Sequence, residues 1–235
     1  MTKKFLLKLH LYLSLPLGVV IMLICLSGAT LVFKNEIRNA LEMPKVIAPH
    51  AKSIKGDHNI KAGDEERVGK TIGKFSSKDA PYGTTTKRDF FSYVTKFHTS
   101  LMMGPVGKLI ITYTTLLFIF ILITGIFVLL PKDRKQLGQR FKVEWNKGGR
   151  RRLFDLHVSL GWWALLWLLL LSVTGLGFGL KLVPKGSELM QLFHVIHIGS
   201  WGGMLTKIIT FVVSLIGASL PVTSYLLYFR RKYKS

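Results

Sequence analysis

Four stretches of the chain carry no Asp, Glu, Lys or Arg: Leu11 to Phe33, Leu109 to Leu130, Val158 to Leu180 and Ile208 to Phe229, each 22 or 23 residues long. A hydrocarbon layer roughly 30 Å thick needs about 20 helical residues to cross it, so each stretch predicts a membrane-spanning helix. Phe91, Val94, His98 and Leu101 fall on one helical stripe that runs into Gly104-Pro105. Leu192, Phe193, Ile196, His197 and Trp201 form a similar stripe ahead of Gly202-Gly203. Short interfacial helices over the outer end of a bundle are expected there, because a Gly-Pro step turns or ends a helix. From Asn35 to Asp89 the sequence is polar, Lys-rich and broken by Gly63, Gly73, Pro81 and Gly83. Without a sustained apolar period, that segment reads as partly disordered or as a small cap.

The expected organisation is an all-α integral membrane protein, a single domain over residues 1–235. Span one lies within 1–33, an outer loop within 34–108 with an interfacial helix at 90–103, and span two within 109–131. A basic loop follows at 132–152, then span three at 153–182, a second outer loop with its interfacial helix at 183–207, and span four at 208–229. The first apolar run exceeds the roughly 7–15 residues of a secretory leader's core, which favours a retained anchor over a cleaved one.

Charge orients this bundle. The chain has 33 Lys+Arg against 12 Asp+Glu, a formal net charge of +21. Lys3, Lys4 and Lys8, the segment from Lys132 to Arg152, and Arg230-Arg231-Lys232 with Lys234 all fall on one side of a four-span topology. The positive-inside rule makes that side, with both termini, cytoplasmic. Topology and anionic lipid headgroups account for such clusters. No Gly-rich phosphate loop, aromatic-basic RNA motif or zinc-ligand spacing accompanies them, so nucleic acid is not an expected partner whereas membrane lipid is. Cys25, the single cysteine, excludes an internal disulfide and covalent haem attachment, and reads as a packing residue.

An internal repeat joins the two hairpins. Leu9-His10, Leu13 and Ser27-Gly28 recur 147 positions later as Leu156-His157, Leu160 and Thr174-Gly175. His98, Gly104, Lys108 and Thr124 recur 99 positions later as His197, Gly203, Lys207 and Thr223. Two spans per unit make this a parallel repeat about an axis along the membrane normal.

The repeat yields two histidine pairs: His10 and His157 one residue before spans one and three, and His98 and His197 each 11 residues before spans two and four. A histidine beside or within a span marks a functional site. Two neutral imidazoles converging in an apolar bundle suit a flat, apolar, metal-containing ligand, and noncovalent haem, as two haem b groups, fits that description. Filling both axial positions points to electron transfer rather than oxygen chemistry. Two ligands per cluster fall short of the three or four that zinc takes. His194, three residues before His197, is an alternative ligand, but its repeat counterpart is Thr95. His50 and His58 read as solvated loop residues. Gly28, Gly125, Gly175, Gly177 and Gly217 suit either close approach of a macrocycle or ordinary helix packing. Lys34, Arg38, Lys96, Lys108, Lys181 and Lys207 outside, and Lys8 with Arg150 to Arg152 inside, are candidate partners for haem propionates or snorkelling anchors. Trp162, Trp163, Trp167 and Trp201 read as interface belt and packing.

Lys8-Leu-His10 leading to Leu26-Ser-Gly28, Phe97-His98-Thr-Ser-Leu-Met-Met-Gly104, Leu156-His157-Val-Ser-Leu-Gly161 leading to Val173-Thr-Gly175, and Ile196-His197-Ile-Gly199 leading to Gly203 resemble the PepSY-associated transmembrane family. The resemblance covers most of the chain outside the first outer loop. It implies a bacterial inner-membrane protein, with relatives that are dihaem reductases acting on ferric siderophores at the periplasmic face. By motif position it assigns His10 and His157 to an inner haem and His98 and His197 to an outer one. The expected function is transmembrane electron transfer from a cytoplasmic or quinol donor to a ferric siderophore or other Fe(III) acceptor on the periplasmic side; a quinol-linked dihaem cytochrome with another acceptor, and a haem-free membrane scaffold or transport subunit, are the alternatives. Longer relatives carry PepSY-type periplasmic domains, whereas this outer loop is short and lacks a folded-domain pattern.

Overall fold

A computed structural model describes residues 3–41, 90–130, 138–184 and 186–232. His50, His58 and most of the first outer loop lie outside the described residues. The helices are α1 (Lys3–Val32), α2 (Lys34–Ala40), α3 (Phe90–Ser100), α4 (Gly104–Leu129), α5 (Gly149–Gly179), α6 (Glu188–His197) and α7 (Gly203–Lys232), with one 3-10 turn at Gly138–Phe141. No strand occurs among the described residues. Four of these helices, α1, α4, α5 and α7, are long and apolar enough to cross a membrane, with mean hydropathy of 1.8 to 2.4. The protein is an all-α, multi-pass membrane bundle.

The spans run further than the uncharged stretches that announce them. Helix α4 begins at Gly104, five residues before Leu109, and α5 begins at Gly149, nine before Val158. Charged side chains at a span's ends keep their heads in water while the backbone continues its hydrogen bonding, so charge does not stop a helix. What separates α3 from α4 is backbone conformation: Leu101, Met102 and Gly104 have φ of 48°, 60° and 60°, and Pro105 occupies the first turn of α4. Helix α6 starts conventionally, with Ser187 Oγ accepting a bond from Met190 N at 3.1 Å. Helix α2 lies in the segment whose polarity suggested a loop.

Packed neighbours run around a ring in the order α1, α4, α5, α7 and back to α1. Exchanging α1 with α5 and α4 with α7 preserves that ring, as a parallel repeat about a central axis requires. Helix α3 lies on α1 and α4, while α6 lies on α5. The midsection is filled by Leu122, Ala164, Leu168 and Val213, with Phe118 and Trp167 packed against them. Outward residues are equally apolar: Leu166 is 79% exposed and Trp163 70%. A helix apolar on every side is at home in lipid. Gly18 admits Pro221 and Tyr225 of α7, whose hydroxyl donates to the Leu15 carbonyl, and Cys25 packs at Gly217.

Candidate functional site

Two sites result, labelled outer and inner after the expected topology, and the outer one is built by α3 and α6 leaning over the spans. His98, two residues from the end of α3, turns its Nδ1 to α1, 3.0 Å from the Ile24 carbonyl and 3.0 Å from Ser27 Oγ. His197, the last residue of α6, turns its Nδ1 to α5, 2.9 Å from Thr174 Oγ1. The two imidazole centroids are 6.3 Å apart, with ring planes at 52°. An imidazole nitrogen bonds a first-row metal at about 2.0–2.1 Å, so rings gripping one ion from opposite sides have centroids about 6 Å apart. Burial lowers the His98 pKa from its ordinary value, and burial together with the facing His98 lowers that of His197 to about 4. Both rings are therefore neutral at neutral pH, the state in which imidazole binds a metal.

The inner site repeats the construction directly between spans. His10 on α1 reaches α4, its Nδ1 3.1 Å from the Ile121 carbonyl and 3.2 Å from Thr124 Oγ1. His157 on α5 reaches α7, its Nδ1 2.7 Å from Thr223 Oγ1. Both line one cavity of about 1420 Å³ near the end of the bundle where α1 begins and α7 ends. His98 and His197 line a second, of about 1130 Å³, near the other end. Each is roomy by the standard of ligand cavities, about 300–1,000 Å³.

Hydrogen bonding decides which ring nitrogen is available. A carbonyl only accepts, so the bonds from His98 to Ile24 and from His10 to Ile121 require an N–H at Nδ1. The hydroxyls agree. Ser27 donates to the Leu23 and Ile24 carbonyls at 2.8 and 2.9 Å, Thr124 to Ile121 at 3.0 Å, Thr174 to Leu170 and Leu171 at 2.9 and 3.0 Å, and Thr223 to Leu220 at 2.9 Å. With its proton committed, each hydroxyl presents a lone pair to the Nδ1–H. All four histidines are thereby set as Nδ1–H tautomers, leaving Nε2 as the free donor atom. Fixing the remote ring nitrogen in this way is how proteins orient metal-binding imidazoles.

Sequence reasoning matched Ser27 with Thr174 and Thr124 with Thr223 but gave those hydroxyls no role. The signal was the repeat itself, in crossed form: Ser27 and Thr174 share the 147-residue offset of His10 and His157 yet support His98 and His197, while Thr124 and Thr223 share the 99-residue offset of His98 and His197 yet support His10 and His157. The glycines separate by what they face. Gly28, Gly125 and Gly175 seat imidazoles: a Cβ on them would lie 3.1 Å from His98 Cε1, 3.4 Å from His10 Cε1 and 3.2 Å from His197 Cε1. Gly177 meets Phe193, and Gly217 meets Leu168 and Cys25, which is helix packing.

The basic residues also sort themselves. Lys108 and Lys181 line the outer cavity, and Arg150 and Arg151 the inner one. Lys207 pairs with Glu36, and the Arg38 guanidinium stands over the Phe91 ring. His194 lines the outer cavity as well, yet its side is exposed and His197 is the residue whose ring faces His98. Trp167 stacks on Trp201 and donates to Thr210 Oγ1 at 3.0 Å. Among the described residues no group of three or more His, Cys, Asp or Glu comes together, so the donor sets are pairs.

No curated protein and no solved structure is significantly similar to this chain. A family model, described as the PepSY-associated TM region, matches residues 7–187, a stretch that takes in His10, His98 and His157 and stops short of His197. The chain belongs to that family.

Proposed function

We propose that each cavity holds one noncovalent b-type haem, the inner one between His10 and His157 and the outer one between His98 and His197, and that the protein carries electrons across the membrane. The observation behind this reading is the common setting of the four imidazoles, each held at Nδ1 by a Ser or Thr hydroxyl so that Nε2 is free, with the outer two rings 6.3 Å apart. The donor chemistry fits the group: two neutral nitrogens per site, apolar walls and a basic rim. A haem held by His10 with His157, or by His98 with His197, would supply one-electron exchange between ferric and ferrous iron.

The chain's own residues orient and shield. Ser27, Thr124, Thr174 and Thr223 hold the rings, and Gly28, Gly125 and Gly175 leave them room. Lys108 and Lys181 suit the carboxylates of an outer ligand, and Arg150 and Arg151 those of an inner one. Family membership and the basic clusters favour an inner-membrane location with both termini cytoplasmic. A cytoplasmic or quinol donor would feed the inner site, and a ferric siderophore or other Fe(III) chelate would accept at the periplasmic face. A hard oxygen-ligand chelator holds Fe(II) less firmly than Fe(III), which makes reduction a route to release.

A reduced-minus-oxidised absorbance spectrum of the full chain, purified after expression with ample haem, tests this. Sharp low-spin bands at two haems per chain are expected; their absence defeats the reading. A finer expectation concerns orientation of the ligand. Ser27→Ala leaves the His98 Nδ1–H with the Ile24 carbonyl alone, and loss of such a support costs about 10–100-fold in metal affinity. Haem titration of the Ser27→Ala chain should show that weakening at one site and leave the other unchanged.

A further inference from the structure

Three arginines open α5: Arg150, Arg151 and Arg152 fall in its first turn, which contains no acidic residue, after Gly148, an N-cap with no side-chain bond. This is the unfavourable end of a helix for cations, since the backbone dipole places partial positive charge there. Asp155 relieves part of the charge. Asp155, 6% exposed as a residue, takes Arg151 Nε on its carboxylate oxygens at 3.0 and 3.1 Å, and the Arg151 guanidinium also stands 5.8 Å from the Phe154 ring centroid.

Nothing comparable serves Arg152. Its Nη2 lies 4.0 Å from where a Gly149 Cβ would stand, and Arg230 Nη1, from the end of α7, lies 3.6 Å from the same point. No carboxylate among the described residues forms an ion pair with either. Positive-inside topology accounts for arginines at this end of the bundle, but scattered snorkelling side chains would spread apart rather than meet over one glycine. The first hairpin offers no equivalent: Lys3, Lys4, Phe5 and Lys8 stand where the second has Arg150, Arg151, Arg152 and Asp155, and Lys3 is engaged by the Leu130 carbonyl.

We propose that Arg152 and Arg230, meeting over Gly149, bind the phosphate of an anionic phospholipid headgroup in the leaflet at the terminal end of the bundle. Guanidinium forks match phosphate oxygens in pairs, which a lysine ammonium does not, and a side chain on residue 149 would come into van der Waals contact with both. The bound phosphate would tie the start of α5 to the end of α7 beside the mouth of the inner cavity.

The test uses the full chain in lipid nanodiscs of phosphatidylcholine doped with phosphatidylglycerol, with retained lipid counted by native mass spectrometry. Loss of a charge-assisted hydrogen bond to phosphate costs about tenfold or more, which the mere presence of a surface charge does not restore. Arg152→Gln and Arg230→Gln should each weaken phosphatidylglycerol retention about tenfold, and Arg152→Lys should weaken it nearly as much because the fork is lost. Lys142→Gln removes one charge from an exposed position on the same loop and should change little. Equal losses for Lys142→Gln and Arg152→Gln, or full retention by Arg152→Lys, would mean diffuse surface attraction and overturn the site. Inorganic phosphate at millimolar concentration displacing the lipid completely would identify a soluble anion as the occupant and overturn the lipid assignment.

Discussion

Alanine at His197 is expected to remove one of two low-spin haems and to leave the spectrum of the other intact. His197 supplies half of the outer donor set, at the end of a ten-residue helix that packs only on α5 among its substantial contacts. Its loss leaves His98 with no imidazole at 6.3 Å. The inner pair is joined to α4 and α7 through bonds that do not involve α6, so His10 and His157 keep their geometry. The measurement is haem per chain by pyridine haemochrome together with the reduced-minus-oxidised spectrum. His10→Ala should give the complementary single-haem species, with different bands. His194→Ala should keep both haems. If His194→Ala loses the outer haem and His197→Ala retains it, the outer ligand is misassigned; if either histidine substitution abolishes both haems in a chain whose helical circular dichroism is unchanged, the two-site reading fails.

Much of this arrangement was legible along the chain because the membrane imposes simple rules. A stretch such as Val158 to Leu180, with no charge over 23 residues, has few options other than a span. The repeat was legible too, because His10 and His157 are preceded by Leu and followed by the same Leu three positions on. What sequence did not yield was direction. Nothing in Ser27-Gly28 says that the hydroxyl faces His98 rather than lipid, because that depends on how α3 crosses α1 after an intervening segment of about 50 residues. Gly28 and Gly217 look alike in a string, yet one seats an imidazole and the other accepts Leu168 and Cys25. Helix α2 escaped for a different reason: with seven residues and five polar ones, it has no apolar stripe to announce it.

Leucine at Gly175 should abolish the outer haem as completely as loss of its ligand, although residue 175 has no atom that can touch the iron. A Cβ there would stand 3.2 Å from His197 Cε1, closer than the about 3.5–4.0 Å at which carbon atoms sit comfortably. Alanine, needing a shift of a few tenths of an ångström, should weaken outer-site binding about tenfold, in line with about 1–2 kcal/mol for modest overpacking. Leucine cannot be accommodated by so small a shift: it drives the ring from Thr174 Oγ1, breaks the 2.9 Å bond that fixes its tautomer, and moves Nε2 away from His98. Gly28→Leu should act in the same way through His98, where the built Cβ is 3.1 Å from the ring. Gly217→Ala is the informative comparison. Its Cβ would meet Leu168 Cδ2 at 2.9 Å and Cys25 Sγ at 3.1 Å, so it should lower thermal stability without a selective effect on either haem. Haem titration and thermal unfolding of these four variants separate the alternatives. Selective outer-haem loss in Gly175→Leu and Gly28→Leu ties these glycines to the imidazoles, whereas selective loss in Gly217→Ala alone would return the macrocycle to the helix surface and leave the imidazole seats without a role.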